Sequence, residues 1–308
     1  MAGEGGRFVL SQQYGKAENR LVRVDRDTPR HVIHDLNVTT TLRGDFAAAY
    51  TEGDQSQVLP TDTQKNTVFA FAKTHGVDQI EDFGLALAEH FVHDVAPVTG
   101  ARVAIEEYAW DRIDVDGSGH DHSFVRSGQS VRTTAVTVEV GGDERQTWVV
   151  SGVKDLVVLK STGSEFAGFL SDEFTTLAET HDRVMATSLA VRWRYAGSSG
   201  IDWQASYDAI RQNLLEQYAV VHSLALQQTL FAMGQTVLEQ HPEVVEIRLS
   251  APNIHHFVYD LARFGLENDG EVLHADDRPY GLIQAALSRP DAPDAPDAGA
   301  TWEAQWSS

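Results

Sequence analysis

The 308-residue chain contains no cysteine. Disulfides, cysteine-ligated zinc, iron–sulfur clusters and thiol nucleophiles are therefore excluded. Positive charge is scarce too: 24 Lys and Arg stand against 45 Asp and Glu, a net charge of −21 with His neutral. Such a surface repels phosphate backbones, so no nucleic-acid partner is expected. No run of about 18 apolar residues occurs, so no membrane-spanning helix and no membrane partner are expected. Met1 to Leu10 holds Glu4 and Arg7 without an apolar stretch between them, unlike a secretory leader. The phosphate-cradling G-x-x-x-x-G-K-[ST], the nucleophile elbow G-x-S-x-G and the zinc helix H-E-x-x-H are all missing. Gly3-Glu-Gly-Gly6 has no strand before it and does not read as a dinucleotide loop.

What is present is a chain that can build a large core. Apolar residues make up 42% of it, and at ~100–200 residues per domain its length suggests two domains. The pattern reads as two rounds of one order. In the first, residues 20–24 and 32–42 are extended, helices cover 61–73 and 80–92, and strands follow at 101–112 and 130–140. Thr61 or Asp62 can cap the first helix. Val136, Val138 and Val140 alternate with Thr137 and Glu139, which argues one buried face. The second round has strands at 146–160 and 185–195 and a long helical stretch from 202 to about 240, ended by His241-Pro242. Strands return at 244–250, 255–260 and 280–288. The order is β-β-α-α-β-β twice, an α+β fold with antiparallel sheet and helices on one face. The expected modules are residues 1–142 and 143–289. From Pro290 the triplet Pro-Asp-Ala repeats three times, so 290–308, with Trp302 and Trp306, is expected to be a disordered acidic tail. A four-stranded sheet leaves two open edges, and so does a fused pair, so ring closure by oligomerisation is expected.

Several segments concentrate reactive side chains. His120-Asp-His122 can place two imidazoles on one face of a strand, or can be a polar loop beside Gly117 and Gly119. Of the chain's lysines, at positions 16, 65, 73, 154 and 160, Lys16 follows Tyr14-Gly15. Taken singly, Lys16 reads equally as a strand-end charge, Phe166 as core, Arg183 as an ion-pair partner, Gln227 as a solvent-facing helix residue and Asn253 as a turn residue after Pro252. In order along the chain, these segments are Tyr14-Gly-Lys16, Thr61-Asp-Thr-Gln-Lys-Asn-Thr67, Asp114-Val-Asp-Gly117 with His120-Asp-His-Ser-Phe124, Leu159-Lys-Ser-Thr162 with Phe166 and Gly168-Phe-Leu170, and Pro252-Asn-Ile-His255. Together they resemble the urate oxidase (uricase) family from about Tyr14 to Ser288.

The resemblance implies two fused tunnelling-fold modules in a homotetramer, with urate and O2 as partners and no cofactor or metal. It implies that Lys16, Thr61 and His255 form the catalytic relay. Arg183 and Gln227 would grip the purine edge, Phe166 would stack on the ring, and Asp62 and Leu226 would offer backbone N–H groups. Leu226 departs from the family's usual valine, which a main-chain contact tolerates. Asn253 with Thr61 would hold O2 or water over the ring. Thr61 and Asp62 would come from a neighbouring subunit. If Lys16 and Thr61 came from different subunits, Lys16→Ala and Thr61→Ala chains would complement each other. These residue types suit urate: Arg gives a planar fork, Gln a donor beside an acceptor, Phe a face. A lysine with a pKa of ~10.4 is a poor base near neutrality unless burial lowers it or Thr61 and His255 relay its proton. The implied product is 5-hydroxyisourate, with release of H2O2. The competing reading, a zinc-dependent pterin synthase or cyclohydrolase of the same fold, needs His93, His120 and His122 as a cluster. The end Gln305-Trp-Ser-Ser308 is not the peroxisomal Ser-Lys-Leu, so a bacterial cytoplasm is the expected location.

Overall fold

The structure is a computed structural model, and it describes residues 10–141 and 144–293. The described chain forms two compact units, one of residues 10–128 with Thr133–Val149, the other of Gln129–Arg132 with residues 150–293. Among the described residues no helix is long and apolar enough to cross a membrane.

Unit one contains β1 (Tyr14–Asp25), β2 (Val32–Gly44), the short α1 (Ala47–Thr51), α2 (Thr61–Thr74), α3 (Ile80–Asp94), β3 (Val98–Glu107), β4 (Trp110–Val115), β5 (Ser118–Arg126) and most of β6 (Val131–Gly141). Its sheet runs β1-β2-β3-β6, and β4-β5 is a separate hairpin. β1 with β2 and β2 with β3 pair antiparallel. Leu36, Val38, Thr40 and Leu42 alternate into the core on β2, and Val103 and Ile105 do so on β3. Val68 of α2 and Ile80, Phe83, Leu87 and Phe91 of α3 complete that core. Fully burying each such side chain contributes roughly 1.5–3 kcal/mol before conformational entropy is set against it.

Unit two holds β7 (Glu144–Lys160) from Val150 onward, β8 (Met185–Tyr195), α4 (Trp203–Val220), α5 (Leu226–Gln240), β9 (Val244–Val258), β10 (Leu273–Asp276) and β11 (Leu282–Ser288). β7, β8 and β9 pair antiparallel in that order, and β9 also pairs β11 through Glu246–Pro252 and β10 through His255–Val258. Leu189, Val191, Trp193, Ile247 and Leu249 of the strands and Ile210, Leu214, Leu230 and Met233 of the helices are buried in its core.

The antiparallel α+β reading agrees with these elements, and it departs from them at several places, among them the following. The strand expected at 101–112 stops at Glu107 and turns into β4, because Asp35 pins the corner: its carbonyl accepts from Tyr108 N–H and its carboxylate from Trp110 Nε1. The stretch 202–240 is two helices, broken where Ser223 bonds to distant backbone. Asn253 is not in a turn, since β9 runs straight through Pro252. The Pro252 carbonyl accepts from Thr187 Oγ1 at 2.8 Å, and Asn253 N–H donates to Gly281 O. At the C-terminus, Pro290–Pro293 is placed, with Arg194 donating to Pro293 O at 2.9 Å. The rest of the expected tail, with Trp302 and Trp306, lies outside the described residues.

Candidate active site

Lys16, Thr61 and Asp62 lie in unit one. β1 begins at Tyr14, so the Tyr14-Gly-Lys16 motif is inside the strand. Tyr14 packs edge-on against Phe46, with ring centroids 4.8 Å apart, and its hydroxyl donates to Leu59 O at 3.0 Å. That bond ties the start of β1 to the chain entering α2, and burial raises the Tyr14 pKa. Gly15 is required by close approach: a Cβ there would stand 1.8 Å from Thr40 O. Lys16 is half-buried opposite Thr40, and the register slips between Lys16 and Asn19, where Glu18 takes φ 57°. Pro60, extended and without a side-chain oxygen, occupies the cap position of α2, so Thr61 is the first helical residue rather than the cap. The first intrahelical bond is Gln64 N–H to Pro60 O, which leaves the N–H groups of Thr61, Asp62 and Thr63 ahead of the ladder. Asp62 is exposed and accepts from Lys65 and, at 3.0 Å, from Asn66. The Lys65 contact chiefly lowers its pKa, and the charge of Lys16 acts in the same direction. Lys16 is therefore close enough to the start of α2 for Asp62 to feel it.

Phe166, Arg183, Leu226, Gln227, Asn253 and His255 lie in unit two. The segment after β7 is held between two others. Phe166 exchanges both backbone hydrogen bonds with Thr180, at 2.8 and 3.0 Å, and Arg183 N–H donates to Ser164 O at 2.9 Å. On the other side, Glu165 N–H donates to Ser223 O at 2.7 Å, and Ser223 N–H to Gly163 O at 2.9 Å. Ser164 and Ser223 are fully buried, and both hydroxyls point at Met185 Sδ. Lys160 donates to Val221 O at 2.5 Å, and burial lowers its pKa. Asp182 accepts from Thr162 Oγ1 and Gly163 N–H. This lattice brings Phe166, Arg183 and the start of α5 to one place.

The Arg183 guanidinium sits 5.2 Å from the Phe166 ring centre, and Phe169 stacks on the same ring at 5.0 Å. Its Nε is buried without a hydrogen-bond partner among the described residues. Burial alone lowers the Arg183 pKa, with no carboxylate offsetting it. A half-buried cation left in this state is poised for an anion. Ala225 offers no side-chain cap to α5, and Gln228 and Thr229 N–H both turn to Ala225 O. The N–H groups of Leu226 and Gln227 precede that ladder. Leu226 is buried and Gln227 exposed, which suits a main-chain role for one and a side-chain role for the other. Asn253 pairs with Thr187 on β8, and His255, two residues on, shares its face and stacks on Phe257 at 5.5 Å.

Lys16, Thr61 and Asp62 thus travel together in one unit, which removes the expectation that Lys16→Ala and Thr61→Ala chains would complement each other. The three histidines of the zinc reading are not gathered. His120 and His122 meet on β5 at 4.4 Å, but among the described residues the only three-ligand grouping is Asp25, His34 and Asp78. Two features went unseen in the sequence. Gln64 is fully buried and accepts from Thr40 Oγ1 at 2.8 Å; a glutamine at the head of the Gln64, Val68, Ala72 stripe was the available signal. Glu165 accepts from His222 at 2.6 Å and faces His181 at 3.3 Å, and no local pattern announces that pairing.

Unit two thus brings together an aromatic face, a guanidinium whose buried Nε has no partner among the described residues, and the start of a helix without a side-chain cap, a grouping of the kind found in small-ligand enzymes. A family model described as Uricase matches residues 12–137 and 149–284. The chain is 52% identical over 286 residues to the uricase of Arthrobacter globiformis, spanning 92% of this chain and 91% of that one. It is 36% identical over 281 residues to the uricase of Oryctolagus cuniculus, spanning 90% and 93%. The crystal structure of the Arthrobacter globiformis uricase matches with a TM-score of 0.89 at 49% identity, over 96% of this chain and 99% of that one. The chain belongs to the uricase family. The urate oxidase of Bacillus sp. TB-90 shares the fold, with a TM-score of 0.80 at 21% identity over 91% of this chain and 100% of that one.

Proposed function

We propose that this protein oxidises urate with O2 and water to 5-hydroxyisourate and H2O2, without a cofactor, as a homotetramer. The observation that carries the reading is the Arg183 guanidinium over Phe166, its buried Nε unpaired, in a chain of the uricase family. Urate is a planar anion with carbonyls and N–H groups around its rim. Its ring stacks on Phe166, and Arg183 and the Gln227 amide bind its edge. The N–H groups of Leu226 and Asp62 meet further rim atoms. Lys16, Thr61 and His255 move the protons, while Asn253 and Thr61 hold O2 and later water above the ring. Doubly deprotonated urate gives one electron at a time to O2. Recombination of the two radicals forms a hydroperoxide, loss of H2O2 follows, and water adds to the dehydrourate.

The residues assigned to the site divide between the units: Lys16, Thr61 and Asp62 on one, the other six on the second. The family resemblance, in which Thr61 and Asp62 come from a neighbouring subunit, supports a site assembled from unit one of one chain and unit two of another. Exposed Leu170, Phe174 and Val220, at 97%, 80% and 72% exposure, support burial against further copies. In this reading residues 1–142 and 143–289 are two tunnelling-fold modules, whose sheets close into a barrel on assembly. The test is to mix chelator-treated protein with urate in air and follow urate absorbance and H2O2. Stoichiometric loss and release are expected. Activity abolished by the chelator and restored by one particular metal, or no consumption of urate, would overturn the proposal.

A further inference from the structure

Gln64, in the first turn of α2, is 0% exposed. Its Oε1 accepts from Thr40 Oγ1 at 2.8 Å, and its Nε2 has no hydrogen-bond partner among the described residues. An amide buried with its N–H groups unpaired is destabilising, and leucine or methionine would fill the same space without that penalty. Residues that break a folding rule in this way are concentrated where function compensates.

The neighbours of Gln64 supply such a function. Thr40 is the cross-strand partner of Lys16, and directly opposed residues on antiparallel strands share a face. Thr61 stands one turn before Gln64 on the same side of α2. The Thr40–Gln64 bond therefore couples the rung that carries Lys16 to the turn that carries Thr61. Tyr14 makes a second tie nearby, from β1 to Leu59. We infer that Gln64 is a positioning residue for urate oxidation, fixing the spacing and the polarity of the Lys16–Thr61 pair through Thr40 without itself touching urate. This rests on the proposed relay role of Lys16 and Thr61.

The test uses the assembled enzyme and five variants. In Thr40→Val with Gln64→Leu, an apolar pair replaces the polar one. It is expected to melt at or above the wild-type temperature and to bind a urate analogue with unchanged affinity. Its kcat is expected to fall roughly 10- to 100-fold, the scale of a small misplacement of reacting groups. Gln64→Glu puts a carboxylate beside the rung of Lys16, which favours the charged amine, so the pH profile of kcat should move to higher pH. Thr40→Ser keeps the hydroxyl and should keep near-wild-type kcat. Gln64→Met supplies the kcat and binding readings should the double variant fail to assemble. Wild-type kcat in the apolar variant together with an unmoved profile in Gln64→Glu would overturn the inference and leave Gln64 as packing. Lys16→Met separates the two levels. If it loses turnover while the Gln64 variants keep theirs, only this inference falls. If it turns over normally, the relay reading falls with it.

Discussion

The proposed sharing of the site between units of different chains makes a quantitative prediction about mixtures. Lys16→Met disables unit one, Arg183→Ala disables unit two, and neither homotetramer should turn over urate. When the two chains are co-expressed and share tetramers at random, a working site needs unit one from an Arg183→Ala chain and unit two from a Lys16→Met chain. Each has a chance of about one half, so about a quarter of the sites should work. The structure also supplies the control. Lys16 lies opposite Thr40, Thr40 bonds to Gln64, and Gln64 is one turn beyond Thr61, all in one unit. Mixed tetramers of Lys16→Met and Thr61→Ala must then stay inactive, because no pairing of chains restores both residues to one unit. The assay is the initial rate of urate loss per tetramer, with differently tagged chains to isolate the mixed species. Activity in the Lys16–Thr61 mixture, or none in verified Lys16–Arg183 mixed tetramers, would refute the reasoning.

Other expectations concern single positions. Arg183→Ala should weaken binding of a urate analogue by about 2–5 kcal/mol by calorimetry, since a buried anion loses its charged partner, and Arg183→Lys should recover only part because it lacks the planar fork. His34 has Asp25 at 3.2 Å and Glu107 at 4.0 Å. The neighbouring Glu107 carboxylate chiefly raises its pKa, against desolvation and with help from the charges of Asp25 and Asp78. A raised folded-state value means that its stabilisation is complete below the unfolded value of about 6.5 and is lost as pH rises through the folded one. The wild-type Tm should therefore decline more steeply than that of His34→Gln above about pH 6.5, and parallel curves would exclude the linkage. Gly15→Ala puts a methyl 1.8 Å from Thr40 O, so β1 and β2 must part. A loss of about 1–3 kcal/mol in denaturant unfolding is expected, with a lower kcat because the Lys16 rung moves.

The sequence exposed the elements whose signals are local. The apolar spacing of α3 and the alternation on β6 and β9 predict their structures because burial on one face enforces the period. The break between α4 and α5 left no such mark. Val221–Ala225 contains neither glycine nor proline, and the helix stops there because Ser223 bonds to Gly163 and Glu165, partners far away in sequence. The same distance hid the site. Phe166, Arg183 and Leu226 looked ordinary one at a time, and the family resemblance alone grouped them. The cause of their grouping, the Ser164 segment held on both sides, appears only in three dimensions. Gln64 was legible in principle, as a polar residue on a buried helical stripe, but the Thr40 that accounts for it lies on β2, more than twenty residues away in sequence.

Main-chain bonds run from the Ser164 segment to both Thr180–Arg183 and Ser223, alongside the side-chain bonds of Asp182, Lys160 and Glu165. The distance from the guanidinium fork to the start of α5 is thus recorded in chain length as well as in the alphabet of side chains. A substitution that touches none of these bonds leaves the main-chain part of that gauge in place. One residue inserted or deleted in 163–166, 180–183 or 221–225 would reset it at a stroke. Drift toward a wider or narrower ring among relatives should therefore be sought in the lengths of these three segments before their composition.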